Sequence, residues 1–164
     1  MPDQDRQWKP NVTVAAVVER DGAFLLVEEQ TADGLRYNQP AGHLEAGESL
    51  LDAVVRETLE ETAWQFTPTA LIGVYQYRQR QSGITYLRFA FTGNLSGHDA
   101  NRPLDTGIID ALWLPPAAIR ATRRTVLEAD GGPAFTQFSS SNGGWSVRGT
   151  LAYQQARQDP YDDW

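Results

Sequence analysis

Cysteine is absent from the chain, which excludes disulfides and thiolate metal sites. Histidine is scarce, with only His43 and His98, so a zinc site built on several imidazoles is not expected. No stretch approaches the roughly 18 apolar residues of a membrane-spanning helix. The opening "MPDQDRQWKP" lacks the apolar core of a secretory signal. These absences lead us to expect a cytoplasmic protein with no membrane partner. Positive charge is also short: net charge is −7 and the pI is near 4.7. A nucleic-acid polymer must be met by many Lys and Arg, so a polymer of that kind is not an expected partner. A small anion whose charge a metal neutralises remains open. Of the 14 basic residues only Lys9 is a lysine, a bias that suits forked contacts to phosphate or carboxylate.

What is present fits one globular domain. The 164 residues are 41% hydrophobic and 21% charged, and we expect a single domain over 1–164 with flexible ends at 1–8 and 158–164. "NVTVAAVVERDGAFLLVEE" reads as a hairpin of Val12–Val18 and Phe24–Val27 around the turn signal Asp21-Gly22. "TADG" is a loop at Thr31–Gly34, and "LRYNQPAGHLEAGES" is a loop or short strand with constrained turns. Ser49 to Thr62 reads as a helix, with Ser49 as cap and Asp52 completing a capping box. Leu51, Val55, Thr58, Leu59 and Thr62 form its expected inward stripe, and Pro68 is expected to close the following region. A longer hairpin follows from Ala70 to Leu95, turning at Ser82-Gly83. "IIDALWLPPAAIRATRRTVLEA" reads as a strand and a Pro-initiated helix. Beyond Asp130 the chain is rich in Gly, Ser and Asn, and no strong helix is expected before one near Val147–Arg157. Hairpins with a few helices, and no regular βαβ units, predict an α+β fold with a mixed sheet.

One feature of this plan is chemically unusual. Positions three and four apart share a helix face, so Glu57, Glu60 and Glu61 project together. Each like-charge pair at that spacing costs about 0.2–0.5 kcal/mol in a free helix, and Arg56 relieves part of it. A solvated acidic face is the ordinary explanation. The Gly- and Pro-rich "NQPAGHLEAGE" just before the helix favours another. It can bring backbone groups near carboxylates, which are hard oxygen ligands suited to Mg²⁺ or Mn²⁺.

Gly42, Glu48, Arg56-Glu57 and Glu60-Glu61 together resemble the Nudix box. Thr58, Ala63 and Trp64 depart from it, standing where an aliphatic residue, a glycine and an aliphatic residue are usual. The resemblance extends from Lys9 to about Leu114 and is nearest to the NudJ-type phosphatase branch. It implies an α/β/α sandwich and hydrolysis of phosphoanhydrides in small organic di- or triphosphates with Mg²⁺ or Mn²⁺. Nucleoside tri- and diphosphates, and thiamine-type pyrophosphates, are the implied substrates, with phosphate released. A nucleoside-diphosphate-sugar or ADP-ribose pyrophosphatase is the alternative, and a non-catalytic nucleotide sensor a further one. The implied metal ligands are Glu57, Glu60, Glu61 and the Ala41 carbonyl. Glu48 is either a ligand or a first-turn Glu favoured by the helix dipole. Glu57 or Glu61 is the implied base, and Arg56 the residue that orients a carboxylate. Asp110 lies where the family often adds an acid, with Asp105 as competitor.

Substrate contacts must come from outside the box. Arg88 is a charge inside the apolar "YLRFAF" and calls for a partner or an anion. Arg78 and Arg80 alternate on the facing strand. Arg36 and Tyr37 precede the box loop, and Tyr37 can stack on a ring or simply pack. His43 can donate to phosphate or be satisfied locally. Glu28 and Glu29 end a strand near the cleft and are expected to be structural or to orient others. Oligomeric state, monomer or homodimer, is left open.

Overall fold

The computed structural model describes residues 8–32, 34–79, 82–122, 138–141 and 144–147. The elements in chain order are β1 (Asn11–Ala16), β2 (Glu19–Arg20), β3 (Ala23–Thr31), β4 (Gly34–Asn38), β5 (Ala41–His43), α1 (Leu50–Thr62), β6 (Gln65–Arg78), β7 (Thr85–Ser96), β8 (Ile108–Leu114), α2 (Pro116–Ala121), β9 (Phe138–Ser141) and β10 (Gly144–Val147). One sheet has the order β5-β1-β7-β6; β3 carries β2, β4 and β8 in another; β9 and β10 pair with each other. The β1–β7 pair is parallel and its neighbours are antiparallel, so the sheet is mixed and the class α+β.

Two cores flank the strands, and alternate side chains of β3 enter both. Val14, Ala16, Val18 and Leu25 join Ala53 and Val54 of α1. Val17, Phe24 and Leu26 join Ile119 of α2. Side chains alternate along a strand, so β3 is buried on both faces, with α1 on one side and α2 on the other. This is the helix–sheet–helix layering expected above. Leu25, at 1% exposure, contributes about 1.5–3 kcal/mol by burial alone.

Three local expectations need correction. The Asp21-Gly22 turn joins β2 to β3 rather than β1 to β3. The chain leaves β1 at Ala16, whose N–H donates to the Pro40 carbonyl, while the Val17 N–H donates to that of Phe91. Pro68 ends nothing: it lies within β6 at a bulge opposite β7. The stripe on α1 is as expected at Thr58 and Thr62 but wider than expected, and it leaves out Leu51. Leu51 is 51% exposed, whereas Ala53, Val54, Glu57, Thr58, Glu61 and Thr62 are buried. The β9–β10 pair was not foreseen. The expected helix at 147–157, both flexible tails and Arg80 fall wholly or mostly outside the described residues.

The helix itself begins as its sequence dictates. The Ser49 hydroxyl accepts from the Asp52 N–H at 3.1 Å, and the Asp52 carboxylate accepts from the Ser49 N–H at 3.3 Å. It ends at Ala63, which adopts left-handed φ 58° and donates its N–H to the Leu59 carbonyl. That conformation costs a non-glycine residue about 1–2 kcal/mol.

Candidate active site

The box helix and the three-residue β5 place the acidic side chains against backbone. Gly42, paired with Val14 of β1, has no β-carbon, and the Glu57 carboxylate occupies the space one would fill. One turn further on, the Glu61 Oε2 accepts the Ala41 N–H at 2.8 Å. Glu57 and Glu61 are each only 8% exposed. The acidic face is therefore half inside the protein, not the solvated stripe its charge suggests.

Arg56 organises the outer side. Its Nη2 and Nε meet both oxygens of Glu48 at 2.7 and 3.1 Å. Its Nη1 reaches Glu57 at 2.8 Å and Glu60 at 3.2 Å, and Nη2 also donates to the His43 carbonyl at 3.0 Å. Glu48 further accepts the Glu45 N–H at 2.7 Å, closing the loop that enters the helix. The geometry matches an arginine that fixes carboxylates in place.

These surroundings divide the acids electrostatically. The Arg56 hydrogen bond holds Glu48 below the usual carboxylate range. Burial pushes Glu57 up, opposed by Arg56. Burial drives Glu61 up to about 8, with the charges of Glu57, Glu29 and Asp105 adding to it and the Ala41 N–H opposing. Without a cation, Glu61 is thus largely protonated at neutral pH.

The structure brings Asp105, not Asp110, to this cluster. The Asp105 N–H donates to the Glu60 carbonyl at 2.9 Å, and its charge is felt by Glu57 and Glu61. Asp110 is exposed, sits opposite Glu28 on β8 and caps its own neighbour, Ala111. Arg88, half-buried on β7, faces Glu29 and Glu61, while burial lowers its own pKa. Arg36 lies opposite Glu29 on β4 and donates to the Leu35 carbonyl. Tyr37 packs into the α2-side core. Arg78 is exposed at the hairpin tip, donating to the Gly83 carbonyl at 3.5 Å. Neither Arg36 nor Arg78 is drawn to the glutamates by these contacts. His43 is exposed, its ring 6.1 Å from that of Tyr86.

Glu29 is more central than its sequence position suggested. It bonds Asn38, faces Arg88 and raises the pKa of Glu61. The available signal was an acid ending the apolar "FLLV", matched by an arginine inside the apolar "YLRFAF": two strand charges that need each other.

The donor chemistry of this cluster fits a hard divalent cation, since its side-chain acceptors are carboxylate oxygens. Among the described residues no three acidic or imidazole groups stand ready to enclose an ion as the side chains lie. The contacts explain this: Arg56 engages Glu57 and Glu60, and the Ala41 N–H engages Glu61.

A model of the NUDIX domain matches residues 8–135, and the chain belongs to the Nudix family of hydrolases, enzymes of phosphoanhydride bonds that generally use a divalent metal. Phosphatase NudJ of Escherichia coli strain K12 is 40% identical over 107 residues, 65% of this chain and 69% of that protein. A NUDIX hydrolase structure from Nitrosomonas europaea is 47% identical, with TM-score 0.71, covering 75% of this chain and 84% of that one. The NUDIX domain of Shewanella oneidensis NrtR, solved with ADP ribose, is 21% identical, with TM-score 0.60 and coverage of 75% and 84%. At that identity it supports the shared fold alone.

Proposed function

We propose that the chain hydrolyses the terminal phosphoanhydride of nucleoside tri- and diphosphates, and of thiamine-type pyrophosphates, releasing orthophosphate in the cytoplasm. The observation carrying this reading is the buried pair Glu57 and Glu61, one helical turn apart against the Gly42 and Ala41 backbone. The similarity to a NudJ phosphatase supports the choice of orthophosphate as product.

Glu57, Glu60, Glu61 and the Ala41 carbonyl would hold Mg²⁺ or Mn²⁺. When bound, such an ion neutralises phosphoryl charge and acidifies water. The chain's own residues do the rest. Gly42 lets the Glu57 carboxylate lie against β5. Arg56 fixes Glu57, Glu60 and Glu48 together, and it compensates their repulsion before substrate arrives. Either Glu57 or Glu61 removes the proton from the attacking water. Arg88 offers positive charge on the sheet beside Glu61. Phosphoryl transfer depends chiefly on such positioning and charge compensation.

A screen of organic di- and triphosphates with Mg²⁺ or Mn²⁺, separating orthophosphate from pyrophosphate and nucleoside monophosphate, tests the reading. Orthophosphate from nucleoside di- and triphosphates is expected, with turnover falling at least a hundredfold in Glu61→Gln. Nucleoside monophosphate as the main product, from ADP-ribose or a nucleoside-diphosphate sugar, would overturn it in favour of the pyrophosphatase reading.

A further inference from the structure

Thr13 lies in the apolar β1 and is 5% exposed. Its hydroxyl is buried and has no hydrogen-bond partner. A buried hydroxyl left unpaired is destabilising, and a valine of the same shape would remove that cost. Its neighbours show what the group can serve. Thr13 pairs with His43 of β5 on one side and Arg88 of β7 on the other, and Arg88 in turn pairs with Tyr75 of β6. Laterally paired residues share a sheet face. His43, Thr13, Arg88 and Tyr75 therefore form one row across four strands, and the unspent hydroxyl shares a sheet face with the Arg88 side chain. Its guanidinium lies close enough to Glu29 and Glu61 to feel their charges, so the Arg88 end of the row reaches toward one of the box carboxylates.

We infer that Thr13 and Arg88 form an oxyanion subsite in which the threonine hydroxyl donates a hydrogen bond to a phosphoryl oxygen of the substrate. Arg88 has donors only, so the pair selects an anion. A phosphoryl oxygen beside the metal-ligating carboxylates is the anion this enzyme class brings. The inference rests on the phosphohydrolase reading above and adds the residue that fixes where the phosphate chain lies.

The test compares Thr13→Val, which keeps the shape, with Thr13→Ser, which keeps the hydroxyl. Activity on ADP with Mg²⁺ is measured, together with inhibition by imidodiphosphate, a probe carrying phosphate chemistry and no nucleoside. Losing one hydrogen bond to a charged acceptor is expected to lower kcat/KM about tenfold or more in Thr13→Val. The imidodiphosphate inhibition constant should rise by a similar factor. Thr13→Ser should stay near wild type, and the melting temperature of Thr13→Val should hold or rise. Unchanged kcat/KM and inhibition in a Thr13→Val protein that melts at or above wild type would overturn the subsite while leaving the hydrolase reading intact. A Thr13→Ser protein as impaired as Thr13→Val would overturn it too, by assigning the effect to packing. Wild-type protein that turns over no phosphoanhydride fails the broader reading instead.

Discussion

Replacing Gly42 with alanine separates the fold from the chemistry. A β-carbon there overlaps the carboxyl carbon and both oxygens of Glu57, so the carboxylate must move. It is the end of a flexible side chain, and displacing it into a poorer rotamer costs about 0.5–1.5 kcal/mol. The half-buried contact to Arg56 at 2.8 Å is lost as well, worth about 0–1 kcal/mol. Burial already disfavours the ionised Glu57, and moving it toward water returns part of that cost. The net loss is about 1–2 kcal/mol, a fall of roughly 2–8 °C in Tm for a domain of this size. Activity responds differently, because a shift of about 1 Å in a reacting group can remove 10²-fold. Gly42→Ala should therefore fold, melt slightly lower, and lose at least about a hundredfold in kcat/KM for phosphate release. In a Glu57→Gln background the same change should cost little more, since contacting residues are not additive. Retention of kcat/KM within about threefold, or full additivity with Glu57→Gln, would refute the idea that Gly42 exists to admit that carboxylate.

Two further predictions follow from the electrostatics. Glu61 titrates near 8 in the fold against an ordinary 4.5, so between those values the native state holds a proton that the unfolded chain lacks. Stability of the metal-free protein should fall as pH rises through that window, by at most about 1.4 kcal/mol per pH unit. Saturating Mg²⁺ should flatten the fall and release close to one proton on binding at pH 7; denaturant melts that rise from pH 5 to 8 without metal would contradict this. Arg56→Lys keeps the charge but not the fork that spans Glu48, Glu57, Glu60 and the His43 carbonyl. A drop of about 10–100-fold in kcat or metal affinity is expected, and wild-type kinetics at limiting and saturating metal would rule out the organising role.

The helix, its cap and the box spacing were legible because they are local: a serine, an aspartate three residues on, and carboxylates at three- and four-residue steps. Which strand pairs with which was not. Val12–Val18, Asp21-Gly22 and Phe24–Val27 read as one hairpin, yet the Pro40 and Phe91 carbonyls claim the N–H groups of Ala16 and Val17. The strand is thereby sent into a different sheet. Burial on the helix was legible at Thr58 and Thr62 but not at the acids, for a related reason. Aliphatic periodicity points to Leu51, while the buried stripe contains Glu57 and Glu61. Hydropathy cannot signal a buried face that carries charge. Asp105 reaches the cluster through a loop hydrogen bond to the end of the helix, a placement that no residue spacing encodes.

The three departures from the box have separate physical compensations, and none touches the acidic side. Thr58 stands at an aliphatic position, yet its hydroxyl donates to the Val54 carbonyl at 2.7 Å, so a polar atom is buried at little cost. Ala63 accepts left-handed strain where glycine would have none. Its N–H closes the helix on Leu59, and its carbonyl accepts the Asp99 N–H at 3.1 Å. Trp64 replaces an aliphatic residue with a larger plane. The Arg20 guanidinium lies 4.7 Å from it and 4.6 Å from Trp113, while His98 packs 4.5 Å from its ring. Cation–π contacts of that kind contribute about 0.5–1 kcal/mol where partly exposed, comparable to the strain carried next door at Ala63. The C-terminal end of the box helix is thus fastened by a different set of contacts than a glycine and an aliphatic residue supply. The carboxylates one and two turns earlier keep the register that the backbone of Ala41 and Gly42 requires.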